Sequence, residues 1–218
     1  MTDDAWPKRP DPPASEEEGE DWQSEKHEAA EAVAVDDTPA PLDDFVEEAS
    51  AEHAAGEVNV PDGYAVIEGS SRGERRSVAV VVGRFNGEVT NRLLERALEA
   101  LAEAGVAQEA ITVMPVPGAF EIPLASMALA KTRRYACIVT LGCVVRGETP
   151  HFDFVAAEAA SGIQLAGLET GVPVSFGVLT VESLEQAEAR VDRVATQAVE
   201  SALEMADVFA QLRASAKS

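Results

Sequence analysis

Short apolar runs recur along the C-terminal part of the chain and alternate with segments of longer period. Each run ends near a glycine, a proline or a polar loop, and the first, SVAVVVG, is β-branched and suited to a strand buried on both faces. The four predicted strands are SVAVVVG (77–83), ITVMPV (111–116), ACIVTLGCVV (136–145) and PVSFGVL (173–179).

Between and after these runs, apolar residues recur at the spacing of a helix. The first helix is predicted over 91–104, and the second begins near Pro123, because proline suits the first turn of a helix. Ser183 with Gln186 has the pattern of a capping box and opens a last helix that continues toward Leu212. The residues expected to face the core are Leu94, Leu98 and Leu101 in the first helix, Leu124, Met127 and Ala128 in the second, and Val155, Ala159, Ile163 and Ala166 in the third.

Regular alternation of strand and helix predicts the fold class. Parallel strands joined by crossover helices form a sheet that is covered on both faces. We therefore expect an α/β protein, a three-layer α/β/α sandwich with a four-stranded, mostly parallel sheet of the flavodoxin-like type.

Charge divides the chain into two parts. Residues 1–62 hold 20 of the 39 acidic residues, three basic residues and seven of the 12 prolines, which gives this segment a net charge of −17. Such a composition cannot bury enough apolar surface to offset the entropy lost on ordering the backbone. We predict a disordered acidic tail over 1–62 and one globular domain over 63–218.

Composition also narrows the class of protein. A formal net charge of −22 disfavours binding to nucleic acid or to an anionic membrane surface. No run approaches the roughly 20 apolar residues of a membrane span, and no apolar signal core is present, so a cytoplasmic protein is expected. Cys137 and Cys143 would lie about 20 Å apart along one strand, which predicts buried core thiols and neither a disulfide nor a metal site.

Candidate chemistry lies in the loops that follow the strands, because ligands of open parallel sheets bind at the carboxyl ends of the strands. Phe85, Glu121 and His151 each follow a different strand, and histidine is suited to proton transfer near neutral pH. Simpler structural interpretations remain open: Phe85 as a core plug, Glu121 as a charge that favours a helix N-terminus, and Arg190 as a solvated charge. No GxGxxG or P-loop motif is present, which argues against a nucleotide cofactor.

Longer motifs in these loops resemble one known family. GRFN (83–86), VPGAFEIP (116–123), LGCVVRGETPHFDFV (141–155) and VSFGVLTVESLEQAEAR (174–190) occur in the order and spacing of the lumazine synthase family. RGxTxHFDxV combined with PGAFEIP is the specific part of the signal. The resemblance covers nearly all of residues 63–218, and the acidic tail has no counterpart in the family.

The resemblance implies a reaction in riboflavin biosynthesis. Lumazine synthases condense 5-amino-6-(D-ribitylamino)uracil with 3,4-dihydroxy-2-butanone 4-phosphate to 6,7-dimethyl-8-ribityllumazine, without a metal or an organic cofactor. Matching positions imply proton transfer by His151. The pyrimidine and ribityl contacts implied are Phe85, Ala119, Phe120, Glu121, Cys143, Val144, Val145 and Phe176, and the phosphate contacts are Glu148, Thr149 and Arg190.

The resemblance also implies that the protein forms oligomers. One departure from the family pattern, after Arg190, leaves alternative functions open. Homo-oligomers, at least pentamers with the active site between neighbours, are expected, together with a functional link to riboflavin synthase. The glycine- and lysine-rich turn that follows the matched arginine in the family is missing here, so 191–203 is expected to continue as helix. Arg193 is a candidate to replace the lost lysine. Two alternative functions remain open. One is a scaffold or shell-forming paralogue with weakened catalysis, and the other is a related riboflavin synthase on the same fold.

Overall fold

A computed structural model describes residues 58–216, and the predicted tail therefore lies outside the described residues except for 58–62. The described strands are β1 (Val78–Gly83), β2 (Ile111–Val116), β3 (Cys137–Val145) and β4 (Val174–Val181). The α-helices are α1 (Gly87–Glu103), α2 (Ile122–Lys131), α3 (His151–Thr170), α4 (Leu184–Glu188) and α5 (Val191–Ser215). Short 3₁₀ turns occupy Gln108–Ala110 and Ala119–Glu121.

All four strands are parallel and lie in the order β2-β1-β3-β4. Val78 of β1 is in register with Ile111 of β2 and with Cys137 of β3, so the carboxyl ends of these strands meet at one edge of the sheet. Helices cover the sheet, and the predicted three-layer α/β/α class is confirmed.

Two apolar clusters hold the layers together, one on each face of the sheet. Alternate residues of β1 point into different clusters, because successive side chains of a strand face opposite ways. Val80 packs with the cluster that contains Leu93 and Leu203, whereas Val81 packs with the cluster that contains Ile122. Burial on both faces, predicted for the first strand, is confirmed for every residue of β1.

Predicted helix faces are correct for α3 and partly wrong for α1 and α2. The α1 helix begins four residues earlier than predicted, at Gly87, and its fully buried row includes Leu93 and Ala97. The predicted Leu94 and Leu98 are only partly buried, since the true row lies one residue toward the N-terminus.

On α2 the prediction reversed the faces. Ile122, Ala125 and Ser126 are buried, whereas Leu124 is 75% exposed and Ala128 is exposed as well. The α2 sequence IPLASMALAK is apolar all round, so its pattern contains no polar stripe that would mark the solvent side.

The predicted last helix consists of two helices. Ser183 Oγ accepts a hydrogen bond from Gln186 N, which confirms the cap. That cap opens only the short α4, and a break at 189–190 precedes α5. From Val191 onward α5 is uninterrupted past Leu203, as the absence of the family's turn predicted.

None of the helices in the part of the chain that the structure describes is long and apolar enough to span a membrane.

Close contact between β3 and β4 generates a prediction about Gly177. A Cβ atom added there would lie 2.5 Å from the main-chain oxygen of Thr140, and the backbone of a paired strand has little freedom to move away. We expect Gly177→Ala to lower the free energy of unfolding by about 1–3 kcal/mol or more.

Gly87→Ala is the matched control, because nothing lies within 4 Å of its added Cβ and the position is helical. Urea unfolding followed by circular dichroism measures both variants. Equal stability of the two would contradict the close-contact argument.

Candidate active site

A cavity of about 570 Å³ opens at the carboxyl ends of β1, β2 and β3. Loops from three neighbouring strands surround it, which is where the sheet topology predicts a ligand site. The predicted site residues that line it are Phe85, Ala119, Phe120, Glu121, Cys143, Val144, Val145, Thr149 and His151. The structure therefore brings together most of the residues that the sequence motifs singled out.

Phe85 projects from the loop between β1 and α1 into this cavity. Its side chain is 74% exposed, so the alternative interpretation as a core plug is excluded. The loop passes close to the next one: a Cβ on Gly83 would lie 3.2 Å from the carbonyl carbon of Gly118. Arg84 N donates to Val116 O at 2.8 Å, which fixes the loop to the end of β2.

Glu121 belongs to a tight turn on the neighbouring wall. Its Oε2 accepts a hydrogen bond from Gly118 N at 2.9 Å, so the carboxylate folds back over the turn that carries Ala119 and Phe120. One carboxylate oxygen is thereby held by the backbone, and the other has no hydrogen bond to the described residues. The Glu121 carboxylate thus brings a charged hydrogen-bond acceptor to an otherwise largely apolar cavity.

The end of β3 forms the floor of the cavity through Cys143 and Val144, both of which are buried. Burial raises the pKa of the Cys143 thiol to about 11 and that of Cys137 to about 12. Both cysteines are free, as predicted, and both thiols are neutral near pH 7. Cys143 is therefore a small apolar contact surface in this cavity rather than a nucleophile.

His151 is the first residue of α3 and is exposed at the mouth of the cavity, next to the exposed loop that carries Glu148 and Thr149. Thr149 lines the cavity, whereas Glu148 does not. The loop has an open backbone at Gly147, where an added Cβ would contact nothing.

Arg146 secures both ends of this loop, a role that the sequence analysis missed. Its Nη1 lies 3.0 Å from Asp153 Oδ1 and its Nε 2.8 Å from Glu182 Oε2. The guanidinium carbon lies 4.1 Å from the centroid of the Phe152 ring. Hydrogen bonds to Glu182 and then to Asp153 raise the pKa of Arg146 above its ordinary value. The only sequence signal was the opposite charges at the two ends of RGETPHFD.

Two predicted contacts lie away from this cavity. Phe176 is on β4 and is 45% exposed, and Arg190 immediately precedes α5, where its Nη1 donates to Gln186 O at 2.9 Å. Neither lines the cavity of its own chain. Asn86, Phe152 and Phe154 line it instead, and the sequence analysis assigned none of them a role.

The described residues contain no group of three or more His, Cys, Asp or Glu side chains that could hold a metal ion.

Fold and cavity define an α/β protein with a cavity of small-molecule size at the carboxyl edge of a parallel sheet. A comparison with protein families identifies which one: residues 75–210 match the family model of 6,7-dimethyl-8-ribityllumazine synthase. The chain belongs to this family, and its membership connects it to riboflavin biosynthesis. The matched range contains every residue singled out above for the site.

The raised thiol pKa values generate a prediction about labelling and about pH. At pH 8 a thiol reagent should label native Cys143 slowly and Cys137 more slowly still, because only Cys143 borders the cavity. The unfolded chain should react at once at both residues, since exposed thiols ionise near pH 8.5. Mass spectrometry of labelled peptides distinguishes the two sites.

The sign of the pH effect follows from the same values. From about pH 8.5 upward the unfolded chain releases thiol protons that the folded chain keeps, so these two groups lower the free energy of unfolding as the pH rises. Well below about pH 8.5 both states keep the protons, and the two thiols have little effect. Rapid labelling of Cys137 in the native protein would contradict this account.

Proposed function

We propose that the protein is an active 6,7-dimethyl-8-ribityllumazine synthase. It condenses 5-amino-6-(D-ribitylamino)uracil with 3,4-dihydroxy-2-butanone 4-phosphate and releases phosphate and water, with no metal or organic cofactor. The observation that carries the proposal is the single cavity that gathers Phe85, Glu121 and His151 from three separate loops. A protein that kept only the fold of the family would have no physical need for this convergence.

The cavity suits the pyrimidine substrate. A flat heteroaromatic ring stacks favourably on an aromatic face, which Phe85 offers at the mouth of the cavity. The ribityl chain is a row of hydroxyl groups, and it needs acceptors such as the free oxygen of the Glu121 carboxylate. The apolar floor at Cys143 and Val144 limits water around the ring.

The loop after β3 suits the second substrate and the proton transfers. A phosphate group needs amide and hydroxyl donors, which the exposed segment from Gly147 to Thr149 can supply. His151, one turn away, is placed to move protons during imine formation and phosphate elimination. Holding both substrates side by side supplies a further part of the acceleration.

We further propose that the site is completed by a second subunit. Arg190 and Phe176, two of the contacts that the family resemblance implies, do not line the cavity of their own chain. Many large apolar side chains are also exposed, among them Leu124 and Leu168, each 75% exposed. Surfaces of this kind typically mark contacts between chains. A homo-oligomer, at least a pentamer, would bring Arg190 of one subunit to the phosphate site of the next.

A second candidate function is a scaffold with weakened catalysis. The observation that favours it is the direct entry into α5 after Arg190, which leaves no turn that could supply a lysine to the substrate. Arg193, exposed in the first turn of α5, is the nearby cation that could take over that contact. Turnover decides between the two candidates.

Activity is tested by mixing the purified full-length protein with both substrates and measuring lumazine fluorescence and released phosphate. The wild type should form both in equal amounts. His151→Ala should fold and bind the pyrimidine yet react about 10- to 1000-fold more slowly, because it loses the proton shuttle. An assembled wild-type protein without turnover would refute the enzyme proposal in favour of the scaffold.

Mixed oligomers test the shared site. At a low concentration of the phosphorylated substrate, His151→Ala and Arg190→Ala should each retain at most about one tenth of wild-type activity. Coexpressed in equal amounts, they should recover about one quarter of wild-type activity, because random assortment places an intact histidine beside an intact neighbouring arginine in that fraction of sites. The same two proteins purified separately and mixed after assembly are the control. No recovery on coexpression would show that both residues act within one chain.

A further inference from the structure

The position of Phe85 has to be fixed by its neighbours in sequence. Its ring is 74% exposed, so packing against the rest of the chain cannot hold it in one orientation. On one side the backbone of Arg84 is bonded to the end of β2, through Arg84 N and Val116 O. The other side of the loop needs an equivalent attachment.

Asn86 supplies that attachment to β3. Its side-chain Nδ2 donates to the main-chain oxygen of Cys143 at 2.9 Å, across 57 positions of sequence. Pairing between β1 and β3 stops at Leu141, because β1 ends at Gly83 while β3 continues to Val145. The asparagine side chain therefore takes a place beside β3 that a longer β1 would have occupied.

The backbone of Asn86 also turns the chain into α1 and accepts the first hydrogen bonds of that helix. It adopts a left-handed conformation, with φ 57° and ψ 51°, which turns the chain from the loop into α1. Its carbonyl accepts from Val89 N at 3.0 Å and from Thr90 N at 3.1 Å, so it also starts the helix. Asparagine tolerates this conformation better than most residues and still carries a side-chain donor, whereas glycine has only the first property.

We propose that Asn86 is the positioning residue for Phe85: by bonding the carbonyl of Cys143 it fixes the aromatic ring above the floor of the cavity. This inference rests on the proposed function for the identity of the ring that Phe85 meets. Asn86 need not touch substrate itself, and its effect on binding passes through the phenyl ring.

A double-mutant cycle tests the proposal. Asn86→Gly keeps the left-handed backbone without strain and removes the side-chain bond, but it also gives the backbone more freedom, so Asn86→Asp is measured beside it. Both are compared in the wild-type and Phe85→Ala backgrounds. The probe is 6,7-dimethyl-8-ribityllumazine, whose dissociation constant is measured by fluorescence. Loss of one hydrogen bond predicts binding about 2- to 10-fold weaker in the wild-type background. With Phe85→Ala already present, Asn86→Gly should have less than about a twofold further effect.

Two further variants sharpen the cycle. Asn86→Asp keeps the side-chain length but offers no donor to the Cys143 carbonyl near neutral pH, so it should weaken binding at least as much as Asn86→Gly. Arg84→Ala is the matched control, because Arg84 holds the loop through its backbone and that bond survives the substitution. KM for the phosphorylated substrate should change little in any of them.

Hydrogen exchange measured without ligand distinguishes failure of the proposed function from failure of the proposed role of Asn86. Asn86→Gly should speed exchange of the Val89 and Thr90 amides by about 2- to 10-fold, because the carbonyl that accepts from them is no longer fixed. Faster exchange in a protein that does not bind the lumazine would refute the proposed function while the anchoring stands. Unchanged exchange, or equal losses of binding in both backgrounds, would overturn the role of Asn86.

Discussion

Unequal strand length is the constraint on which the cavity depends. All four strands are parallel, and β1 and β3 are in register at their first residues, Val78 and Cys137, but β1 stops at Gly83 while β3 continues to Val145. The loop from β1 therefore crosses the space above its own end and passes close to Gly118, where a Cβ on Gly83 would lie 3.2 Å from the Gly118 carbonyl carbon. The space left above the shortened strand is the cavity, and its floor is the end of β3 around Cys143 and Val144.

Strand positions could be predicted from the sequence because apolar runs and their breaks identify them without reference to the rest of the fold. Helix faces were harder, since α2 is apolar on every side and a helical pattern then has no solvent face to detect. The break before α5 was also missed, because Ala189 and Arg190 both suit a helix and no glycine or proline marks the boundary.

Within the site, residues recognised from motifs were gathered as expected wherever their loops leave adjacent strands. Contacts made by one side chain to a distant backbone could not be predicted. The bond from Asn86 to the carbonyl of Cys143 exists only because β1 and β3 lie side by side with a particular register. Likewise, the contact of Arg146 with Glu182 joins the ends of β3 and β4 and depends on the pairing of those two strands.

Two kinds of attachment hold the proposed site, and they differ in sensitivity to solvent. Asn86 forms a partly buried, uncharged hydrogen bond next to the core, whereas Arg146 forms ion pairs with two exposed carboxylates. Salt and water screen the second kind far more than the first. The attachment on the aromatic side of the cavity is therefore less sensitive to salt than the ion pairs that hold the loop carrying Thr149 and leading to His151. That division suits a site in which a flat ring must be held still while a phosphate arrives, reacts and leaves.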